Sequence, residues 1–217
     1  MLSGLLNSPN LNISEEEGVF ILRSSRFNPV PDPNDIHEVS TTLVEVLNGA
    51  AKLYNEDFQG ITAKAVVRID EDGKRSKYER LTALPRSFHL RALPSRHDLI
   101  GSWFTIAQGD EHIARALALY GSLEHNWRNL YMVLEVIEDD IDGHDRLSEK
   151  VWVPKEKVRQ FKHTANSFLA IASEARHASV SRQPPKTPMP LQEAKRLIHD
   201  LLWRWLESKE RGPSQLD

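Results

Sequence analysis

The chain has 217 residues, of which 40% are hydrophobic and 27% are charged, proportions that are typical of a folded globular protein and exclude a disordered one. It contains no cysteine, which excludes disulfides, thiolate nucleophiles, iron–sulfur clusters and cysteine-based zinc sites. The net charge of −3 conceals a local basic excess, because residues 61–97 carry nine Lys and Arg against four Asp and Glu.

The apolar content and length of the chain bear on its location and organisation. No run approaches the roughly 18 apolar residues that a membrane span requires, and the first residues lack the basic and apolar regions of a signal peptide. We therefore expect a cytoplasmic protein that makes no membrane contact. The length suits one compact unit with two subregions, a small α/β subdomain over residues 1–96 and a helical bundle over residues 97–217.

The first predicted elements are a strand and a long helix. The apolar run VFILRS at residues 19–24 is typical of a buried strand. Asp32 and Pro33 combine an N-cap residue with the proline that favours a first helical position, so they predict a helix start. Apolar residues then recur at steps of three and four as far as Tyr54, which predicts a helix of about 20 residues.

A β-hairpin is predicted next. Apolar and polar residues alternate over residues 61–69, the Asp72-Gly73 pair supplies a turn, and residues 74–82 return as the partner strand. The alternation predicts one buried apolar face and one solvated polar face. Residues 87–93 predict a further strand, so the element order is β-α-β-β and, with the helices that follow, the fold class is α+β.

The polar face of this hairpin is basic, which indicates a nucleic-acid contact. The residues that would meet phosphates are Lys64, Arg68, Arg75 and Arg80. No RNA-binding aromatic signature accompanies them, and charged edge strands also keep sheets from pairing with one another. A solvated edge is therefore the alternative interpretation.

The second half of the chain carries four apolar stripes with helical spacing. They extend from Leu99 to Tyr120 with a break indicated at Gly109-Asp110, from Trp127 to Ile141, from Pro154 to Ala175, and from Pro190 to Trp205. Each stripe is apolar on one side only, so the helices most simply pack together as a four-helix bundle.

The last helix, predicted over residues 190–209, contains two tryptophans that cannot both point into the core. Trp203 and Trp205 diverge by about 200° around the helix axis because they are two residues apart. One of them is a candidate for an interface with the α/β subdomain or with a second chain, and simple surface packing is the alternative.

The acidic stretch at residues 138–149 nearly fits a calcium-binding loop. It has oxygen ligands at loop positions 1, 3, 5 and 12 and glycine at position 6. However, Glu138 stands where aspartate is usual, Asp145 occupies a usually apolar position, and Pro154 cuts the following helix short. An acidic helix end that runs into a glycine turn explains the same residues, and we favour that interpretation.

Sequence motifs for catalysis are few. The nine histidines form neither His-x-x-x-His nor His-Glu-x-x-His, and the chain has no Gly-x-Ser-x-Gly elbow and no Gly-x-x-x-x-Gly-Lys loop. We therefore predict no metal and no cofactor. The remaining candidate catalytic pair is Arg176, which would bind a phosphate, and His177, which would move a proton. Alternatively, both residues stabilise the exposed carbonyls of a last helical turn.

The stretch IASEARHASVSRQPPKTPMPLQEAKRLIHDLLWRWL at residues 171–206 resembles the closing part of a HEPN-type helical domain. This resemblance, which covers about the last 110–120 residues, implies a small helical bundle of prokaryotic toxin–antitoxin or phage-defence type. Many such proteins are metal-independent ribonucleases that act as dimers, with an active motif of Arg, four to six residues and His. His177 lacks that Arg, because the three positions are Ala170, Ile171 and Ala172. The formal match from Arg91 to His97 lies in a proline-containing junction.

These observations predict a non-enzymatic binding or assembly protein of a bacterial defence or regulatory complex, which forms a homo-oligomer or holds a protein partner. The failed catalytic motifs and the surplus of apolar helix face favour it. Two alternatives stay open: a HEPN-type ribonuclease that uses His177, and an RNA or DNA binder that uses the basic hairpin.

Overall fold

The computed structural model is an α+β fold, as the sequence predicts. It describes residues 7–8, 11–16, 19–30, 32–69, 72–79, 97–121, 124–143, 147, 149–150, 152–177 and 183–211. Over these residues the chain forms seven α-helices, two short 3-10 turns and two small antiparallel sheets. None of the described helices is both long and apolar enough to cross a bilayer.

The strands precede most of the helices. In chain order they are β1 (Asn7–Ser8), β2 (Leu11–Glu16), β3 (Val19–Ser24), β4 (Ala65–Ile69) and β5 (Arg75–Glu79). The helices are α1 (Pro33–Tyr54), α2 (His97–Ala107), α3 (Glu111–Gly121), α4 (Trp127–Asp140), α5 (Lys155–Ala165), α6 (Phe168–Ile171) and α7 (Leu191–Arg211). The 3-10 turns are Ser25–Phe27 and Ala172–Glu174.

The predicted strand at residues 19–24 is confirmed as β3, but the prediction that it is buried is wrong. It lies in a three-stranded antiparallel sheet of order β1-β2-β3, and its first residues, Val19 and Phe20, are exposed. They pair with Glu16 and Glu15 at the end of the β2–β3 hairpin, where the sheet is not covered. The partner strand β2, with the sequence LNISEE, has no apolar run that would have predicted it.

Helix α1 is confirmed over nearly the predicted range, and its buried Asn48 holds the loop that follows it. The Asn48 side chain donates to the Ile61 carbonyl and accepts from the Ile61 N–H, both at 2.8 Å. Gly60 adopts a φ of +81° beside this amide, a conformation that glycine accommodates without steric cost. The two hydrogen bonds hold Ile61 against α1, ahead of β4.

The predicted hairpin is confirmed at residues 65–79, but the faces of its first strand are reversed. Val66 is the buried residue of β4, which packs against α1, whereas Val67 and Ile69 are 50% and 54% exposed. From the alternation we expected Val67 and Ile69 on the buried face. Alternation shows which residues share a face of the strand, but not which of the two faces packs against a helix. The further strand predicted at residues 87–93 lies outside the described residues.

The helices of the second half follow the predicted stripes with one correction. The break at Gly109-Asp110 is confirmed, because α2 ends at Ala107 and Asp110 Oδ1 caps α3 by accepting from the His112 and Ile113 N–H groups. The third predicted helix, which should have reached residue 175, ends earlier. Its backbone leaves the helical path after Ala165, and Ala172 adopts a φ of +51°, which interrupts any continuous helix.

One apolar core joins helices from both halves of the chain. Its largest fully buried side chains include Leu47, Leu53, Trp103, Phe104, Phe161 and Trp205. Helix α1 packs most closely on α3, and α4 lies against both α3 and α7. The predicted division at residue 96 therefore separates α1 from the helices that it contacts.

Candidate functional site

An open groove of about 840 Å³ lies between α3 and α4. The α4 side is formed by residues at steps of three and four, which share one face of a helix: Met132, Glu135, Val136 and Asp139. Helix α3 contributes Arg115 and Leu119, one turn apart. The groove is therefore built from the sides of two helices that turn their other faces to the core.

The lining of the groove combines an apolar floor with an acidic rim. Leu119, Met132 and Val136 supply the apolar surface. Four carboxylates and one guanidinium supply the charge: Glu135, Glu138, Asp139, Asp142 and Arg115. The lining residues by themselves therefore carry more negative than positive charge, which favours cationic ligands over anionic ones wherever a carboxylate is not already paired.

Two of the rim carboxylates form ion pairs with cationic side chains that come after α4 in the sequence. Glu135 forms an ion pair of 2.9 Å with Arg176, whose guanidinium lies 4.7 Å from the centre of the Tyr131 ring. Glu138 forms an ion pair of 2.7 Å with Lys162 of α5. Asp139 is different, because its side chain is 66% exposed and approaches His112 Nε2 at 3.3 Å. Asp139 and Asp142, which are both exposed, are therefore the lining carboxylates that can meet a ligand.

The floor of the groove ends at a glycine turn that terminates α4. Gly143 N–H donates to the Glu138 carbonyl at 2.7 Å, and Asp142 N–H approaches the Asp139 carbonyl at 3.4 Å. With Asp142 at φ +61° and Gly143 at φ +111°, this is a Schellman-type helix end. Over residues 138–143, the part of this stretch that the structure describes without a gap, the chain forms an acidic helix end with a glycine turn, since Glu138 and Asp140 lie within α4.

This turn gives a stability prediction. Asp142 is a non-glycine residue in the left-handed region, where glycine has no Cβ penalty, so Asp142→Gly should stabilise the fold by about 0.5 kcal/mol. Urea unfolding monitored by circular dichroism measures the change. The matched control is Asp139→Gly in the last turn of α4, where glycine should destabilise by about 0.5–1 kcal/mol. Equal effects at the two positions would contradict the assigned helix end.

A charged cluster adjoins the groove at the ends of α3, α4 and α7. Lys209 Nζ lies 2.6 Å from Asp140 Oδ1 and 3.0 Å from Asp110 Oδ2. His112 Nδ1 approaches Asp140 Oδ1 at 3.7 Å. The buried Trp205 ring donates from Nε1 to Asp140 Oδ2 at 2.9 Å. Three segments that are distant in sequence therefore meet at one partly buried network.

This cluster contains side chains of the kind that bind metal ions, but its carboxylates already form ion pairs with a lysine of the same chain. Asp110, His112 and Asp140 offer ligand atoms within 4.8 Å of one another. However, the ammonium of Lys209 already lies between the two carboxylates. Burial disfavours the charged Lys209, but hydrogen bonds to Asp140 and Asp110 outweigh it and raise the pKa of Lys209. The lysine stays protonated, so the two carboxylates already have a cation.

The pKa of Asp110 shifts in the direction that this pairing requires. Burial opposes its ionisation, but hydrogen bonds from Lys209 and from the Ile113 N–H outweigh burial and lower the pKa of Asp110. Its contribution to stability is therefore present above the ordinary value of 3.8 and is lost as the pH falls toward the lower folded value. A carboxylate held in this way is a structural anion and a poor general base.

Other charged and histidine side chains bind the carbonyls at helix ends. His125 Nε2 lies 2.6 Å from the Tyr120 carbonyl, and Lys52 Nζ donates to the Gly121 carbonyl at 3.1 Å, so both serve the end of α3. His199 Nε2 lies 3.0 Å from the Leu53 carbonyl near the end of α1. Burial lowers the pKa of Lys52 and that of His125. These histidines are accounted for by helix termination.

The pKa shift of His125 predicts an acid-sensitive fold. The pKa of His125 is near 6.5 in the unfolded chain and is lower in the folded protein. The contribution of His125 to stability therefore decreases as the pH falls through 6.5. His125→Gln, which keeps a donor near the Nε2 position and removes the titration, should lose less stability than the wild type between pH 7 and pH 5. Urea midpoints at both pH values measure this. The control is the same change at an exposed histidine, His177→Gln, and an identical decrease in all three proteins would contradict the prediction.

The structure places the two predicted catalytic residues differently. Arg176 is held by Glu135 and Tyr131, and its N–H donates to the Ala165 carbonyl at 3.0 Å. His177 is exposed, and no hydrogen bond joins it to another residue of the described chain. Their proposed catalytic roles stay a prediction, although the guanidinium is already engaged by a carboxylate.

The predicted basic and tryptophan sets are only partly brought together. Arg68 pairs with Ser76 and Arg75 pairs with Ile69, so the register places the two arginines on opposite faces of the hairpin. Lys64 is exposed just before β4, and Arg80 lies outside the described residues.

Trp205 is fully buried, whereas Trp203 keeps some exposed surface and packs edge-on against Trp103 at 4.9 Å.

Sequence reasoning missed the groove and the network around Lys209. The spacing of Met132, Val136 and Asp139 on α4 was a local signal for the groove, but its second wall belongs to another helix. Comparison with known proteins adds no further guide: no family model, curated protein or solved structure matches this chain.

Proposed function

We propose that the protein is a non-enzymatic binding module whose α3–α4 groove holds a basic, amphipathic segment of a protein partner. The observation that carries this proposal is the combination of an apolar floor with two exposed rim carboxylates, Asp139 and Asp142, in one open groove. A cationic segment with one apolar face would bury its apolar side chains on Leu119, Met132 and Val136. Its cations would then lie beside the rim, which gives specificity and faster association.

The charged residues elsewhere support a binding role over catalysis. Asp110 and Asp140 share the ammonium of Lys209, Arg176 is held by Glu135, and His125 binds a helix end. A general acid or base needs a group that can reach a substrate proton, and these groups are committed to the fold. The groove is different, because Asp139 and Asp142 are exposed at its rim.

The proposal also includes the HEPN-like resemblance and a four-helix arrangement of residues 97–217. A HEPN-like bundle that lacks the arginine of its active motif is suited to binding a partner rather than to cleaving RNA. Assembly in a bacterial defence or regulatory complex, with the chain inside the cell, belongs to the same proposal.

Binding of a designed peptide tests this function. The probe is a fluorescently labelled helical peptide with lysine on one face and leucine on the other, and the control is the same peptide with glutamate for lysine. Anisotropy at low salt should give a dissociation constant on the order of 10 µM for the lysine peptide, weakening as salt rises. The glutamate peptide should not bind.

Matched variants locate the binding surface. Asp139→Lys should weaken binding of the lysine peptide about tenfold, whereas Glu38→Lys, an equal charge change on the exposed side of α1, should leave it unchanged. Equal binding of both peptides, or equal effects of both variants, would overturn the proposal.

The ribonuclease alternative is tested with the same preparation. Purified protein is incubated with mixed RNA at neutral pH in EDTA, together with the His177→Ala variant. Cleavage by the wild type that His177→Ala abolishes would establish a metal-independent nuclease and refute the non-enzymatic proposal. Absence of cleavage in both proteins agrees with the binding role.

A further inference from the structure

The surface of the chain contains one described feature with the chemistry that the groove selects. On the outward face of the β4–β5 hairpin, Val67 lies opposite Lys77 and Ile69 lies opposite Arg75. The two apolar side chains are about half exposed, and both cations are exposed beside them. Cross-strand pairs place their side chains roughly 5 Å apart, so this face presents apolar and cationic groups together.

Tyr78, which is 41% exposed, lies on the opposite face of the same hairpin, the face on which Val66 packs against α1, and the remaining exposed apolar residues within the described ranges lie on other elements. Val19 and Phe20 lie opposite Glu16 and Glu15, so the tip of the β2–β3 hairpin is acidic and would be repelled by the rim carboxylates. Leu169 is a single exposed side chain on the short helix α6. Charge complementarity therefore favours the β4–β5 hairpin among these surfaces.

The hairpin face is directed away from the helices of its own chain. Val66 is buried where β4 packs against α1, and successive residues of a strand point to opposite sides. Val67 and Ile69 therefore point outward, so an acidic groove that receives them must belong to another molecule. A two-stranded hairpin is also marginally stable alone and gains from being covered.

We infer that the protein self-associates head to tail, with the outward face of the β4–β5 hairpin of one copy seated in the α3–α4 groove of the next. This inference rests on the proposed function of the groove and names its occupant as a second copy of this chain. Val67 and Ile69 cover Leu119 and Met132, while Arg75 and Lys77 lie beside Asp139 and Asp142. Because the two surfaces differ, the association is heterologous and forms a ring or an open chain.

Charge reversal on each surface tests the inference. Light scattering after size exclusion, over a wide concentration range, should show wild-type association that weakens as salt rises. Lys77→Glu on the hairpin and Asp139→Lys in the groove should each weaken self-association about tenfold or more. The matched controls are Lys74→Glu at the hairpin turn and Glu38→Lys on α1, which should associate like the wild type. Circular dichroism confirms that each variant is folded.

A mixture of the two variants provides the decisive arm. In an equimolar mixture, the unchanged groove of the Lys77→Glu protein can receive the unchanged hairpin of the Asp139→Lys protein. At the other type of contact, the glutamate introduced on the hairpin meets the lysine introduced in the groove, so the charges are again opposite. Association should therefore recover at least partly in the mixture. A monomeric wild type at all concentrations, or variants that associate like their controls, would overturn the inference. If the wild type is monomeric and still binds the lysine peptide, the self-association fails and the proposed function stands.

Discussion

Gly49→Ala is expected to destabilise the fold by about 3 kcal/mol or more. A Cβ built on Gly49 would lie 1.9 Å from the Leu117 carbonyl oxygen and 2.6 Å from its carbon, where α1 crosses α3. Both atoms belong to helix backbone, which cannot move aside as a flexible side chain can. The two helices would have to separate along the most extensive contact that α1 makes in the core.

A second glycine, in a less crowded position, provides the control for this prediction. Gly109→Ala changes a glycine whose added Cβ would meet its nearest atom, the Ile106 carbonyl oxygen, at 3.8 Å, so it should alter stability by less than about 1 kcal/mol. Urea unfolding monitored by circular dichroism compares the two variants with the wild type. A Gly49→Ala protein as stable as Gly109→Ala would show that α1 and α3 do not cross at this glycine.

Asp140→Asn is expected to destabilise the fold by about 2 kcal/mol. The carboxylate accepts from Lys209 Nζ at 2.6 Å and from Trp205 Nε1 at 2.9 Å, one bond to each oxygen. An amide has one acceptor oxygen, so its NH2 group must face either an ammonium or an indole N–H. Since the Asp140 side chain is only 11% exposed, water cannot readily replace the lost bond.

The neighbouring residue provides the control for this change. Asp139→Asn makes the same chemical change one position earlier, on a side chain that is 66% exposed, and should cost less than about 0.5 kcal/mol. Thermal and urea unfolding of both variants measure the difference. Similar losses at the two positions would mean that the network around Lys209 does not hold α4 to α7.

Local sequence patterns predicted the elements well because their causes are local. The break between α2 and α3 follows from Asp110, whose side chain binds N–H groups two and three residues ahead. The turn of the β4–β5 hairpin and the start of α1 rest on similarly short-range preferences. Periodicity also identified which residues of α4 share a face.

The arrangement of those elements was beyond the sequence patterns, because it depends on contacts between distant residues. Periodicity does not say that α1 packs on α3, or that Val66 rather than Val67 faces inward. The network that joins Asp110, Asp140 and Lys209 brings together three helix ends from separate parts of the chain. The engagement of Arg176 by Glu135 is of the same kind, and it makes the predicted phosphate-binding role less favourable.

Binding of basic, amphipathic segments in the proposed α3–α4 groove should be visible residue by residue. Backbone amide chemical shifts of the protein, recorded by NMR during titration with the lysine peptide, test it most directly. The predicted result is a set of perturbations concentrated at residues 115–119 and 132–143. Perturbations centred elsewhere, or none at saturating peptide, would contradict the claim.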